Sequence, residues 1–181
     1  MNRWIAGALG LTLLSTSAQA ATVTLEPEAS VLRVGDTLVL VADNDGFATA
    51  TGGADLELYW DPAVVRVDWL KPVLPGFDYV TPGTPSAAEQ ADGEIELISL
   101  LAPLVATLPS GDFDSLQIGL TAVGPGTTYV TLSGVWYNKD ASETIPVEFF
   151  PATVTVVPLP AAAWALLGAL GVLGGLRRRR G

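Results

Sequence analysis

The chain has 181 residues, of which 19 are acidic and 9 are basic, and it contains neither histidine nor cysteine. Without these two residue types it has no Ser-His-Asp or Cys-His catalytic site, no disulfide, and none of the ligands that zinc and copper prefer. The net charge of −10 also argues against a nucleic-acid partner, because an acidic surface repels phosphate.

The first 20 residues are typical of a secretory signal peptide. Arg3 supplies the positive charge, Ile5–Leu14 forms the apolar run, and Ala18 and Ala20 are the small residues of an Ala-x-Ala cleavage site. We therefore expect export, with the mature protein beginning at Ala21. An uncleaved N-terminal anchor is the alternative, but the apolar run is short for one.

Residues 21–156 have the length of a single domain with one hydrophobic core. This segment holds all 19 acidic side chains but only four basic ones, so its net charge is −15. The four cations are Arg33, Arg66, Lys71 and Lys139. The plain interpretation of so much negative charge is solubility outside the cell.

Hydrophobic alternation between turn residues predicts an all-β fold, with about eight or nine short strands packed as a two-sheet sandwich. The extended segments are Thr22–Leu25, Ser30–Arg33, Thr37–Val41, Asp55–Trp60, Val65–Trp69, Glu94–Leu101, Ser115–Val123, Thr127–Tyr137, Phe149–Phe150 and Thr153–Val156. Residues 43–46 and Gly52-Gly53 are predicted to bracket a loop. The proline-rich residues 71–93 are predicted to form an irregular connection, with one helical turn near Ala87–Ala91.

Side-chain alternation divides the strands into inward and outward rows. Leu56, Leu58 and Trp60 fall on one side of their strand and are predicted to lie in the core. By the same rule, Trp69 and Trp136 are predicted to be core residues.

The opposite row of Thr127–Tyr137 is the candidate binding face. It presents Tyr129, Thr131, Ser133 and Tyr137 on the outward side. Tyrosine offers contact area at little entropic cost, and the hydroxyls can exchange hydrogen bonds with sugar or peptide. Tyr79 is a further candidate, and coverage of the row by a neighbouring loop is the alternative.

Calcium is the one metal that the composition permits, because hard cations take carboxylate and carbonyl oxygens. Asp43 and Asp45, followed by Gly46, resemble the middle of an EF-hand loop, but Val41 and Gly52 stand where the first and last ligands belong. An Asx-rich turn explains the same residues. Asp112 and Asp114 are a second fragment of this kind, so we expect no firm metal site.

Three segments together resemble the cohesin-like sandwich. They are Val34–Thr37, the stretch Leu56–Val67 around Trp60-Asp61-Pro62, and Leu120–Gly134 around a Gly-Pro-Gly turn. The family usually has Tyr-Asp-Pro at the second of these, and the tryptophan keeps a large ring there. The resemblance implies a nine-stranded jelly roll related to some carbohydrate-binding modules. Cohesins proper bind dockerins, but a shared fold does not by itself carry that activity over.

Residues 157–181 form a C-terminal segment with three distinct regions. It begins with a proline motif made of Val157, Pro158, Leu159, Pro160 and Ala161, and no helix or strand is expected to pass through Pro158–Pro160. Residues 161–176 are uncharged and rich in Ala, Leu and Gly, but are fewer than the roughly 20 that a comfortable membrane helix needs. The chain then has four cations that the positive-inside bias would hold in the cytoplasm, namely Arg177, Arg178, Arg179 and Arg180.

This arrangement resembles the PEP-CTERM class of bacterial sorting signals in its Val-Pro-Leu-Pro-Ala variant, and Trp164 fits that class. Leu159 stands where the more usual Pro-Glu-Pro form has glutamate. The resemblance implies cleavage near the prolines by an exosortase, a membrane-embedded cysteine transpeptidase. The protein would be anchored transiently in the inner membrane and then delivered to the cell surface or extracellular matrix. An ordinary membrane anchor is the alternative.

These features together indicate an exported, exosortase-processed surface or matrix protein with a structural or adhesive β-sandwich. We expect extracellular polysaccharide or a protein as partner, and no cofactor. The alternative is a carbohydrate-binding module with a defined sugar site. A glycosidase with paired carboxylates needs only Asp and Glu, but one small sandwich offers no long cleft, and we expect no enzyme.

Overall fold

A computed structural model describes residues 20–73, 79–81, 83–101 and 107–158. The elements in chain order are β1 Ala21–Glu26, β2 Ala29–Arg33, β3 Thr37–Phe47, β4 Thr51–Tyr59, β5 Val65–Pro72, β6 Tyr79–Thr81, α1 Ala87–Asp92, β7 Glu94–Leu101, β8 Gly111–Ala122, β9 Gly126–Asn138, β10 Thr144–Ile145, β11 Val147–Phe150 and β12 Ala152–Val157. Most of the predicted signal peptide and sorting segment, including Ala18, residues 159–161 and Arg177–Arg180, lies outside these ranges. Within them, no helix has the length and apolar character needed to cross a membrane.

The strands form two sheets that pack face to face. The first sheet has the order β11-β1-β3-β8-β5, and the second has the order β2-β12-β9-β4-β7-β6, with β10 added beside β9. Only β1–β11 and β2–β12 pair in parallel among the strand pairs of the described residues. The predicted two-sheet, all-β sandwich is confirmed, although the described residues alone form 12 strands rather than eight or nine. The short strands β6 and β10 carry too few residues for an alternation to be visible.

The core lies between the sheets and contains the inward row that alternation predicts. Leu56 and Leu58 are fully buried, and Trp60 is only 6% exposed. Trp136 is fully buried and forms an aromatic cluster with Phe47 and Phe113, with ring centroids 5.2 and 5.9 Å away. The predictions for Trp60 and Trp136 are therefore confirmed.

The prediction that Trp69 belongs to the core is wrong. Strand β5 has a register shift against β8 between Val67 and Trp69, so one extra residue enters the strand. A shift of one residue moves the following side chains to the other side of a sheet. Leu70 accordingly enters the core, and Trp69 is left half-buried on the outer surface.

The loop predicted between residues 43–46 and 52–53 is present but shorter, at residues 48–50, because residues 43–46 and 52–53 themselves belong to β3 and β4. Asn44 is fully buried, and its side-chain amide donates hydrogen bonds to the carbonyl oxygens of Ala42 and Phe113, at 2.8 and 2.9 Å. These bonds let a polar residue remain inside the strand. The local pattern of Asp, Asn and Gly suggested a turn because it does not reveal these distant partners.

The long connection after β5 contains more structure than the sequence suggested. Its helical turn is confirmed as α1, which begins with a capping box. The Ser86 hydroxyl accepts from the Glu89 N–H at 3.3 Å, and the Glu89 carboxylate accepts from the Ser86 N–H at 2.6 Å. This reciprocal pair satisfies two of the free N–H groups at the start of the helix.

Two of the segments that carry the cohesin resemblance meet at one end of the sandwich. The Asp61 N–H donates to the buried Thr128 hydroxyl at 2.9 Å, and the Val123 N–H donates to the Val64 carbonyl at 2.9 Å. A Cβ at Gly124 would lie 2.3 Å from the Ala63 carbonyl oxygen. The Gly-Pro-Gly turn therefore needs glycine there, because the two backbones approach so closely.

Candidate functional site

The predicted outward row of β9 lies on the outer surface of the second sheet. Tyr129 is 64% exposed and Val135 is 40% exposed, whereas Thr131, Ser133 and Tyr137 are half-buried among their neighbours. The exposure of Tyr129 argues against coverage by a loop of the described chain. Tyr79 lies in β6, but its side chain is outside the described residues. A binding role for the row stays a prediction.

Strand β4 places a second row directly beside the first. Its outward residues Tyr59, Glu57 and Asp55 pair with Thr131, Ser133 and Val135 of β9, respectively. Strand β7 continues the surface on the other side of β4. We call this surface the β9–β4–β7 face, defined by Tyr129, Thr131, Ser133, Val135, Tyr137, Asp55, Glu57, Tyr59, Glu94, Leu97, Ser99 and Leu101.

Asp55 links the three strands of this face through side-chain hydrogen bonds. Its Oδ1 accepts a hydrogen bond from the Ser99 hydroxyl of β7 at 2.8 Å, and its Oδ2 accepts from the Tyr137 hydroxyl of β9 at 3.1 Å. The bond to the Asp55 carboxylate raises the pKa of Tyr137 above its ordinary value, with smaller contributions from desolvation and from the negative charge. Tyr137 therefore remains a neutral hydrogen-bond donor at physiological pH.

Glu57, two residues further along β4, is also held by hydroxyl groups. Its Oε2 accepts hydrogen bonds from the Tyr59 hydroxyl at 2.9 Å and from the Ser133 hydroxyl at 3.2 Å. The bond to Glu57 raises the pKa of Tyr59 to about 12, with further contributions from desolvation and from Glu94. Hydroxyl donors thus hold both carboxylates of β4 in place.

Exposed apolar side chains lie among these carboxylates. Leu97 is 56% exposed and Leu101 is 54% exposed, both on β7, and Tyr129 and Val135 add apolar surface on β9. Charged groups held by hydrogen bonds beside exposed leucines and a tyrosine are suited to binding a macromolecule.

The sequence revealed only the β9 portion of this face. The alternation that turns Leu56, Leu58 and Trp60 inward leaves the other residues of that strand on the outward side, and the structure agrees. These outward residues are Asp55, Glu57 and Tyr59. What it could not show is that β4 lies next to β9, because sheet order depends on non-local pairing. The outward position of Leu97 could not be predicted, because the register of β4 against β7 shifts between Leu56 and Leu58 and interrupts the alternation in β7.

The calcium candidates lie on the first sheet, within strand β3. Burial raises the pKa of Asp43, with further contributions from the negative charges of Asp45, Asp114, Glu26 and Asp112. Among the residues that the structure describes, no three acidic side chains are grouped in a way that could hold a metal ion. Asp43 and Asp45, which the sequence offers only as weak calcium candidates, stay untested.

The backbone is similar to solved cohesin structures. A type I cohesin in a cohesin–dockerin complex from Clostridium thermocellum has a TM-score of 0.58 and 14% identity, over 79% of this chain and 97% of that one. A non-cellulosomal cohesin from the archaeon Archaeoglobus fulgidus has a TM-score of 0.59 and 15% identity, over 81% and 98%. The cohesin module of a family 33 glycoside hydrolase from Clostridium perfringens has a TM-score of 0.60 and 12% identity, over 80% and 100%.

These similarities establish the fold. The described domain is a cohesin-like β-sandwich, as the short motifs around Trp60 and Gly124 predicted. No protein-family profile matches the chain, and no curated protein matches it in sequence.

Proposed function

We propose that the chain is an exported surface or extracellular-matrix protein whose cohesin-like sandwich is an adhesive module that binds a protein partner through the β9–β4–β7 face. The N-terminal signal directs export, and an exosortase processes the C-terminal sorting segment. The inner membrane holds the chain only until that cleavage. The domain performs no catalysis.

The observation that carries the proposal is the composition of the β9–β4–β7 face. It combines exposed apolar side chains, chiefly Tyr129, Leu97 and Leu101, with carboxylates whose positions are fixed by hydrogen bonds. Protein-binding surfaces place aromatic and apolar anchors inside a polar surround. The carboxylates favour a partner with a basic surface, because opposite potentials steer association.

The solved neighbours favour a protein as the partner. One of them was solved as a cohesin–dockerin complex, so a small protein module of that kind is the first candidate. The alternative is a carbohydrate-binding module, for which the hydroxyls of Tyr129 and Thr131 are the supporting groups.

The experiment measures retention of the purified protein on surface material from the producing cells. The test variant carries Tyr129→Ser with Leu97→Ser. The control is Phe150→Ser, which removes a ring that is 42% exposed on β11 of the first sheet. The near-ultraviolet circular dichroism of each variant checks that its fold is retained.

We expect surface material to retain the double variant less than the parent, while the Phe150→Ser control is retained like the parent. Treating the surface material with protease should lower retention of the parent to that of the double variant. Equal retention of the parent and the double variant on untreated material would overturn the proposed face. If protease leaves this difference intact and glycan digestion removes it, the protein partner is replaced with the carbohydrate alternative.

A further inference from the structure

Trp69 lies on the outer surface of the first sheet, on the opposite side of the sandwich from the β9–β4–β7 face. Val67 pairs with Leu120 of β8, but Trp69 pairs with the next residue, Gly119. Asp68 is therefore the extra residue of a bulge, and it turns the indole outward. Bulges of this kind often serve to redirect a side chain.

The indole ring lies directly against the backbone of β8. A Cβ built on Gly119 would be 2.2 Å from Cε2 and 2.4 Å from Nε1 of Trp69. No side chain other than hydrogen fits under the ring without moving it. The bulge and Gly119 thus fix one broad aromatic surface against the sheet.

The surface around the indole ring is apolar, and polar side chains lie at its edges. We call the apolar surface formed by Trp69, Gly119 and Val39 the floor. Val39 of β3 pairs with Gly119 from the other side and is 43% exposed, which extends the floor across three strands. The Lys71 ammonium lies over the ring, 4.6 Å from its centroid, and Lys71 pairs with Gln117.

On the opposite margin, Asp68 accepts a hydrogen bond from Arg66 Nε at 2.7 Å, and its other oxygen accepts from the Thr121 hydroxyl at 2.5 Å. Arg66 and its partner Asp68 thereby satisfy one another, whereas Lys71 forms no ion pair with any acidic side chain of the described chain. The lysine stem is flexible, so its ammonium can leave the ring and donate to an incoming ligand.

We propose that the Trp69–Gly119–Val39 floor binds a hexopyranose unit of a neutral extracellular polysaccharide. A pyranose ring has one face of C–H groups that packs on an indole, while its hydroxyls point outward from the ring edge. Gln117 beside the ring, and Lys71 once its ammonium leaves the ring, can exchange hydrogen bonds with those hydroxyls. A domain of net charge −15 repels polyanions, which is why the ligand is a neutral glycan.

This site is independent of the protein-binding face. The two surfaces belong to different sheets, so one module could hold a protein partner and a polysaccharide strand at the same time. Loss of either activity would leave the other intact.

The test is affinity electrophoresis of the protein through gels that contain hydroxyethyl cellulose, xyloglucan or laminarin, with alginate as the anionic probe. Trp69→Ala removes the ring. Gly119→Ala keeps every aromatic ring and charge, but its added methyl group displaces the Trp69 indole from the sheet. Phe150→Ser, at an exposed position elsewhere on the first sheet, is the control, and circular dichroism confirms that each variant folds.

We expect at least one neutral polysaccharide to retard the parent and the control. The apparent Kd should rise about tenfold or more in both Trp69→Ala and Gly119→Ala, as for loss of a central aromatic contact. Three results would overturn the site: no retardation by any of the neutral probes, retardation by alginate alone, or unchanged retardation of a folded Trp69→Ala variant. Loss of retardation in Tyr129→Ser but not in Trp69→Ala would assign the glycan to the other sheet.

Discussion

The hydroxyl of Tyr137 donates a hydrogen bond to Oδ2 of Asp55, 3.1 Å away on the neighbouring strand, while Ser99 occupies the other oxygen of the same carboxylate. One side chain thus links β9, β4 and β7 across the surface of the sheet. Side chains already fixed in this way lose little freedom when a partner binds. The β9–β4–β7 face is therefore already ordered for the partner binding that we propose.

The bond between Tyr59 and Glu57 gives the domain a stability that depends on pH. The pKa of Tyr59 rises from 10.0 to about 12 in the folded chain, so the folded state keeps this proton more tightly than the unfolded state. The contribution is complete below pH 10 and is lost as the pH rises towards 12. The denaturant midpoint, measured as the pH rises across this range, should fall less steeply for Tyr59→Phe than for the parent. The same dependence on pH in both proteins would show that the bond does not stabilise the fold.

Two tryptophans of the sandwich should respond very differently to truncation. Trp60 is 6% exposed within the core, so Trp60→Ala should cost about 3–5 kcal/mol of unfolding free energy. Trp69 lies half-buried on the surface, and Trp69→Ala should cost clearly less. Chemical denaturation of both variants measures the difference. A larger loss in Trp69→Ala would contradict the positions assigned to the two rings.

The Thr128 hydroxyl holds the turn after β4, and its neighbour Thr127 is a matched control. Thr128 is 4% exposed and accepts a hydrogen bond from the Asp61 N–H, so Thr128→Val removes this bond. The expected cost is about 0.5–1.5 kcal/mol. Thr127→Val makes the same replacement of a hydroxyl by a methyl group at an exposed site. It should alter the free energy of unfolding by less than about 0.5 kcal/mol. Equal denaturation midpoints for the two variants would mean that the bond is not needed.

Where alternation was unbroken, the sequence predicted the structure well. The strands around Leu56–Trp60 and Thr127–Tyr137 have their inward and outward rows as expected, because burial of one sheet side imposes a period of two. The errors fall at irregularities. The bulge before Trp69 reverses a side chain, and Asn44 is stabilised inside β3 by carbonyl groups that local sequence cannot identify.

The candidate face was only partly predictable, for a related reason. The row from Tyr129 to Tyr137 depends on the alternation of a single strand. Asp55 and Leu101 join it through pairing between strands that are distant in sequence, which one chain alone does not reveal. The Trp69 site was missed entirely, since its existence depends on a single extra residue and on Gly119 of another strand.

Processing at both ends is a separate prediction. Ala20 is exposed directly before β1, and Pro158 is exposed directly after β12, so both predicted cleavage regions border the folded domain. Intact-mass analysis of surface material should find neither residues 1–20 nor Arg177–Arg180. Protein at the outer surface that still carries the four arginines would contradict exosortase processing.

Because the chain contains no cysteine, single-cysteine labelling can measure directly whether the β9–β4–β7 face contacts the proposed partner. Single-cysteine variants Thr131→Cys, on this face, and Glu148→Cys, on the first sheet, are alkylated with a maleimide in the presence and absence of surface material. We expect surface material to slow alkylation at Thr131→Cys and to leave alkylation at Glu148→Cys unchanged. Alkylation at Thr131→Cys that proceeds equally fast while the protein is bound would contradict this expectation.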